Sequence, residues 1–217
     1  MAINQWLPNF DIIVRWLHVI AGITWIGHLY FFNWVNANFQ TVLEKDYKKF
    51  VNHRLLGRAL FFFRWGAMIT FIAGLILFTE MYMYRGHGHG FGPNGNFWDI
   101  TPKGAKELSN RAIWIMFGGL LATIMWFNVW FIIWPRQQKI IRAMQGGPAA
   151  PPEAAPQAAL ASKINTYLSG PMLWGMVAGS HINLWPMNFA TLGLALVLAL
   201  GLIHGLYATS RKVKTTV

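Results

Sequence analysis

The stretch Arg15–Gly27, RWLHVIAGITWIG, lies inside an apolar run that extends from Ile12 to about Val35. At 1.5 Å per residue the run reaches roughly 36 Å as a helix, which is enough to cross a bilayer. Ionisable side chains inside hydrocarbon are costly unless they face a bundle interior, a cofactor or water. The run therefore predicts a membrane-spanning helix whose histidines, His18 and His28, serve a purpose inside the protein.

The composition of the whole chain is that of an integral membrane protein. Of its 217 residues, 55% are hydrophobic and 12% are charged, and it contains 12 Trp and 16 Phe, which is too apolar and too aromatic for an ordinary soluble domain. The lack of cysteine excludes disulfides, iron–sulfur clusters and a covalently attached c-type heme within this sequence. The net charge of +11 comes from basic residues between apolar runs, where they anchor membrane helices. We therefore expect no nucleic-acid binding.

The pattern of apolar runs predicts an all-α integral membrane protein, a single membrane domain built as a bundle of five transmembrane helices. The expected spans are residues 12–36, 59–84, 112–134, 161–182 and 186–209. The Pro- and Ala-rich residues 145–160 predict a flexible loop. In the third span, Gly118, Gly119 and Asn128 predict close helix packing and an interhelical hydrogen bond.

The distribution of basic residues predicts the orientation. If the N-terminus lies outside, twelve Lys and Arg residues fall on the inner side and five on the outer side. Cytoplasmic loops carry the excess of positive charge in membrane proteins. We therefore expect the N-terminus outside and the C-terminus in the cytoplasm, in a multi-pass protein of the bacterial inner membrane.

Four histidines fall at two depths in this topology. His18 in the first span and His181 at the end of the fourth both lie near the outer face, whereas His28 and His204 lie at a matched inner depth. Two histidines at one depth on different helices are what bis-imidazole ligation of heme b requires. His18 and His181 therefore predict one heme site, and His28 and His204 predict a second.

Neighbouring residues fit these heme sites. Gly22, one turn from His18, and Ala178 and Gly179, beside His181, would leave room for a flat macrocycle. Arg15 near the outer interface is expected to pair with propionates of the outer heme, and Arg64 in the second span with those of the inner one.

Other interpretations of the same chain stay open. An intramembrane histidine can simply bond a neighbouring helix, which would leave a structural subunit without a cofactor. Met81, Met83, His87 and His89 predict a copper-handling membrane protein instead. Glu80 near the outer end of the second span is expected either at an interface or as a proton acceptor from a quinol.

Three ordered stretches resemble the membrane domain of the bacterial urate hydroxylase family, a membrane urate oxidase whose longer members end in a cytochrome c domain. They are RWLHVIAGITWIG with the residues up to Asn33, ATIMWFNVWFIIWPRQQKII from residue 122, and NTYLSGPMLWGMVAGSH from residue 165. The resemblance covers roughly residues 12–36 and 111–182 and reaches His18, Asn128, Pro135, Gln137, Pro171 and His181. We expect this chain to lack the cytochrome c domain, so that its electrons would need a separate acceptor.

The sequence therefore predicts a heme b-binding membrane electron-transfer protein, similar to a cytochrome b, or the membrane subunit of a redox complex. The expected partners are a c-type cytochrome or a quinone, together with other subunits of the complex. If the chain is itself an enzyme, we expect an oxidoreductase of the urate oxidase type. No acid and base pair for urate hydroxylation stands out in the sequence.

Overall fold

The computed structural model describes residues 3–86, 89–100, 102, 104–179 and 186–213, and it describes their side chains except those of residues 3–8, 45, 49 and 53. The chain in these ranges is mainly helical. Its α-helices are α1 (Ile3–Tyr30), α2 (Ala37–Val42), α3 (Lys45–Phe78), α4 (Asn110–Phe127), α5 (Trp134–Met144), α6 (Ala154–Ala178) and α7 (Phe189–Lys212). Three π-helical segments, Phe31–Asn36, Thr79–Met83 and Asn128–Ile133, continue α1, α3 and α4. A two-stranded antiparallel sheet pairs β1 (Trp98–Ile100) with β2 (Lys106–Leu108).

Four helices in the described ranges are long and apolar enough to cross a membrane. They are Asn9–Val42, Arg54–Met83, Asn110–Met144 and Phe189–Lys212. These four correspond to the first, second, third and fifth spans expected from the sequence. The fourth expected span is a helix, α6, but its composition is less apolar than that of the other four.

The lower apolar content of α6 follows from its place in the bundle. α6 packs against α4, α5, α7 and two of the π-helical segments, and its Asn165, Thr166 and Ser169 are fully buried. The Asn128 side chain donates a hydrogen bond from Nδ2 to Asn165 Oδ1 at 2.7 Å, which confirms the interhelical bond expected from the sequence. Polar groups that bond to neighbouring helices are stable inside a membrane bundle, so α6 carries its polar residues inward.

Glycines allow the backbones of α4 and α6 to pack closely together. A Cβ on Gly175 of α6 would lie 2.8 Å from the backbone nitrogen of Gly118 on α4, so the two backbones approach as only glycine allows. The close packing predicted at Gly118 is therefore confirmed. The same prediction for Gly119 is wrong, because no described atom beyond its own stretch of α4 lies within 4 Å of the position that its Cβ would take.

Hydrogen bonds between helix ends show which ends lie on the same side of the bundle. Arg111, at the start of α4, donates from Nε to the carbonyl oxygen of Gly179, just after α6, at 3.2 Å. Asn38 in α2 donates from Nδ2 to the carbonyl oxygen of Ser210 in α7 at 3.1 Å. α4 therefore begins where α6 ends, whereas the first helix and α7 end on the same side.

The expected loop at residues 145–160 is shorter in the structure. α6 begins at Ala154, because the Ala-rich sequence favours a helix. Pro156 is tolerated because it lies in the first turn, where backbone N–H groups make no hydrogen bond within the helix. The small sheet between the second and third spans was not expected either. It follows the Gly-rich residues 86–96, GHGHGFGPNGN.

Candidate functional site

His18 lies at the interface between α1 and α3. Its Nδ1 is 2.9 Å from the carbonyl oxygen of Thr70 on α3. Because a carbonyl oxygen can only accept, Nδ1 carries the proton and donates this bond. The Nε2 atom of the neutral ring then keeps a lone pair, and the described residues offer it no hydrogen-bond partner.

Gly74, one turn beyond Thr70 on α3, makes room for the His18 ring. A Cβ at residue 74 would lie 3.1 Å from His18 Cε1 and 3.4 Å from Nδ1, which is closer than carbon atoms normally pack. Gly66, further along the same face, lets α1 approach, because its Cβ would lie 3.0 Å from the backbone nitrogen of Trp25. Thr70 and Gly74 thus contact the His18 ring, and Gly66 brings the next turns of α1 close to α3.

Sequence reasoning missed Thr70 and Gly74 as neighbours of His18. Thr70 contacts His18 through its backbone carbonyl. Every residue type has this group, so the residue type at position 70 does not indicate the contact. A signal was nevertheless present, because Gly66, Thr70 and Gly74 recur every four residues. Small residues at that spacing mark a helix face that packs closely.

The end of this interface near Asp11 is charged. Arg15 Nη2 donates to Asp11 Oδ1 at 2.7 Å and also contacts Met81 Sδ at 3.4 Å. Arg15 therefore has a protein carboxylate as its partner, but its Nη1 has no acceptor among the described residues and can still reach an anionic group. The Oε2 atom of Glu80 is buried and has no donor within the described ranges.

The small residues expected to leave room for a macrocycle are in contact with other helices. The Cβ position of Gly22 lies 3.8 Å from Thr70 Cγ2, and that of Gly179 lies 3.5 Å from the carbonyl oxygen of Arg111. The side of α1 that carries His18 and Gly22 therefore faces α3, not α6. His181 lies outside the described residues, so the pairing of His18 with His181 stays a prediction.

The inner histidines have different neighbours. His28 donates from Nδ1 to the carbonyl oxygen of Thr24 at 2.7 Å, and its ring stacks on Phe62 of α3. His204 is exposed on α7, and its Nδ1 lies 3.0 Å from the hydroxyl of Tyr167 on α6. These contacts do not bring the two rings together, and a shared heme for His28 and His204 stays a prediction.

Arg64, the predicted propionate partner at the inner level, stacks on an aromatic ring. Its guanidinium carbon lies 3.6 Å from the centroid of the Trp134 ring, which is a close cation–π contact. Its Nε is buried without an acceptor within the described ranges. The side chain thus keeps donor capacity for an anion, although no described contact links it to His28.

The copper site predicted at Met81, Met83, His87 and His89 stays a prediction. Met81 contacts Arg15, His89 is exposed in the loop, and His87 lies outside the described residues. Among the described residues, no group of three or more His, Cys, Asp or Glu side chains is close enough to hold a metal ion.

Comparison with known proteins identifies a family. A family model described as urate oxidase N-terminal matches residues 2–53 and 98–216. The matched ranges contain the three stretches that carried the resemblance, together with His18, Asn128 and His181. Thr70 and Gly74 fall in the unmatched residues 54–97. No curated protein and no solved structure matches the chain.

Proposed function

The chain belongs to the urate oxidase N-terminal family, and from that premise we propose that it is a membrane electron-transfer subunit of an oxidoreductase that holds heme b through His18. In this proposal five helices cross the bacterial inner membrane, with α6 among them, the N-terminus outside and the C-terminus in the cytoplasm. The electron partner is a c-type cytochrome at the outer face or a quinone within the membrane.

The contact between His18 Nδ1 and the Thr70 carbonyl oxygen is the observation that carries this proposal. A histidine that binds a metal usually donates its other ring N–H to a carboxylate or a backbone carbonyl, which fixes the ring and leaves one nitrogen for the metal. His18 makes such a bond to Thr70, inside a slot that Gly74 keeps open. The neutral ring with a free Nε2 has the donor chemistry of an axial heme ligand.

The other residues fit parts of a heme site. We expect His181 to supply the second imidazole, and Arg15 to donate from its free Nη1 to a propionate near the outer interface. The apolar bundle excludes water around the ring and so sets the dielectric in which the iron is held. When bound, heme would supply the one-electron chemistry that no side chain here provides.

The test compares two histidine substitutions in purified protein from cells that make heme. The wild type is expected to contain heme with a b-type α-band in its reduced-minus-oxidised spectrum. His18→Ala is expected to lose most of that heme, because the iron loses one of its ligands. His89→Ala removes an exposed loop histidine and serves as the control, which is expected to keep its heme. A wild type without heme, or equal heme content in both variants, would contradict the proposal.

A second candidate function is urate oxidation itself, which the description of the matched family favours. Membranes that contain the protein would then consume urate in the presence of an electron acceptor, and His18→Ala would abolish this consumption. Heme-loaded protein that leaves urate unchanged would restrict the function to electron transfer.

A further inference from the structure

Arg64 is a charged residue within an apolar span whose helices offer it no carboxylate. It lies in the second of the four helices that are long and apolar enough to cross a membrane. On its own helix, the acidic residues Asp46 and Glu80 lie about 27 Å and 24 Å away in opposite directions. Helices α4, α5, α6 and α7 contain no Asp or Glu, and Asp11 of α1 is paired with Arg15. A charge within hydrocarbon is costly unless it meets an anionic partner or water.

The Arg64 guanidinium lies over an aromatic ring and keeps two of its nitrogens free. Its Cζ atom lies 3.6 Å from the ring centroid of Trp134 on α5 and 5.7 Å from that of Phe61 on α3. Its Nε is enclosed by protein, whereas Nη1 and Nη2 are not enclosed and have no acceptor among the described residues. A guanidinium that stacks through its face presents its N–H groups in the plane. Nη1 and Nη2 can therefore donate to an anion beside the Trp134 ring.

The surface of α3 around Arg64 is apolar and open. Phe61 and Trp65 are exposed on this helix, and exposed apolar side chains within a span face lipid. Gly57 lies two turns from Arg64 on the same helix face. It is exposed, and no described atom beyond its own stretch of α3 lies within 4 Å of the position that its Cβ would take. An anion that reaches Arg64 therefore approaches from the bilayer.

Exposed basic residues lie toward one end of this site. The end of α3 and the start of α4 meet at Asn96, which donates to the carbonyl oxygen of Met81 and accepts from the Ser109 hydroxyl. α5 therefore ends on the side where α3 begins. Toward that side the two helices carry the exposed cations Arg58, Lys139 and Arg142. The nearest of them lie roughly 8–9 Å beyond Arg64 along the helix axes, and basic residues at the end of a span attract anionic lipid headgroups.

We propose that Arg64 binds the phosphate of an anionic phospholipid with the headgroup chemistry of phosphatidylglycerol. The lipid lies in the leaflet at this side of the bundle, which is the cytoplasmic leaflet in the orientation proposed above. The long Arg64 side chain extends toward the headgroups, and Nη1 and Nη2 donate to two phosphate oxygens, a paired geometry that a guanidinium favours. The acyl chains lie along the exposed Phe61 and Trp65.

Two other anions offer related chemistry to the same nitrogens. A free phosphate ion would have to leave water and enter hydrocarbon, whereas a phospholipid brings a phosphate and apolar chains together. A heme propionate, the partner expected from the sequence, requires a ligating histidine nearby, and no described contact links Arg64 to one. The apolar surroundings and the basic helix ends therefore favour the phospholipid.

This inference goes beyond the proposed electron-transfer function. It requires a membrane but no heme, because His18 contacts Thr70, which lies about 9 Å from Arg64 along α3. The two proposals can therefore fail separately.

The experiment first identifies the phospholipids that stay on the full chain purified from bacterial membranes in mild detergent, by extraction and mass spectrometry. The wild type is expected to retain anionic phospholipid in a fixed ratio to protein. The delipidated wild type is then heated with added ligands, because a ligand that binds the folded state raises the melting temperature. Short-chain phosphatidylglycerol is expected to raise it more than phosphatidylcholine of the same chain length, and inorganic phosphate is expected to leave it unchanged.

Substitutions at two arginines locate the site. Arg64→Gln removes the charge and is expected to weaken phosphatidylglycerol binding roughly tenfold to hundredfold, the usual effect of losing a charged hydrogen bond. Arg64→Lys keeps the charge without the paired donors and is expected to bind with an intermediate affinity. Arg54→Gln is the control, because Arg54 is an exposed cation of the same helix whose Cζ lies 3.9 Å from the Phe50 ring centroid. It is expected to bind nearly as the wild type does.

The outcomes separate the phospholipid from the other anions and from the heme proposal. Equal phosphatidylglycerol binding in Arg64→Gln and Arg54→Gln would overturn the inference, as would an equal rise in melting temperature with phosphatidylcholine or inorganic phosphate. The comparison of ligands uses the wild type alone, so it decides the question even if Arg64→Gln does not fold. Loss of heme from Arg64→Gln with unchanged lipid binding would assign the guanidinium to a propionate instead. Heme loss in His18→Ala bears only on the proposed function.

Discussion

Replacing Gly74 with alanine tests the slot that holds His18. The added methyl group would lie 3.1 Å from His18 Cε1 and 3.4 Å from Nδ1, whereas carbon atoms pack at about 3.5–4.0 Å. The ring must therefore move by a few tenths of an ångström. That movement stretches its 2.9 Å bond to the Thr70 carbonyl toward the limit of about 3.2 Å for an N–H···O bond.

The magnitude follows from what the Thr70 bond does for the ring. A hydrogen bond of this kind contributes about 1 kcal/mol, and loss of a partner that orients a metal ligand typically lowers metal affinity by about 10–100-fold. We expect Gly74→Ala to weaken heme binding roughly tenfold, which corresponds to about 1.4 kcal/mol. The control is Gly119→Ala, since nothing lies within 4 Å of that Cβ position and both changes add the same helix-favouring methyl group.

The assay is the transfer of heme from the purified variants to apomyoglobin, followed by the Soret absorbance. Gly74→Ala is expected to release its heme faster and more completely than Gly119→Ala, and its α-band is expected to shift because the axial imidazole is displaced. Equal transfer from the two variants would refute the reasoning. In that case the ring held by Thr70 does not bind iron.

Three further predictions follow from the fold. Asn128→Ala removes the donor to the buried Asn165 Oδ1 and is expected to lower the stability of the bundle in detergent by about 1–2 kcal/mol, which thermal unfolding would measure. A reporter active only in the cytoplasm is expected to work after Gly146 and to fail after Gly95; the opposite pattern would invert the proposed orientation. If His28 and His204 ligate a second heme, each alanine variant loses one of two hemes per chain; a stoichiometry of one heme, unchanged in both variants, would assign these histidines to helix packing.

Much of this fold follows from the sequence because a membrane restricts what a chain can do. An apolar run of more than twenty residues can satisfy its backbone in hydrocarbon only as a helix, so the positions of the long helices could be read from composition. The polar Asn128 could be interpreted in the same way, because an amide inside a span needs a partner on another helix.

The neighbours of each helix could not be read from composition. Residue number gives the depth of His18 in the membrane, and its spacing from Val14, Ala21 and Trp25 indicates one buried face. It does not indicate which helix covers that face. The tertiary structure places α3 there, with Gly66 and Gly74 allowing the approach.

The place of α6 shows the same division between sequence and tertiary structure. Its sequence contains the polar residues Asn165, Thr166 and Ser169. Only the packed bundle shows that all three are buried, that Asn165 bonds to Asn128 and that Ser169 contacts the Tyr30 hydroxyl of α1. Hydrophobicity along a chain is a sum over residues, whereas the satisfaction of a polar group depends on partners that lie far away in the sequence. The sequence therefore determined where the helices are, and the tertiary structure decided what His18 and α6 contact.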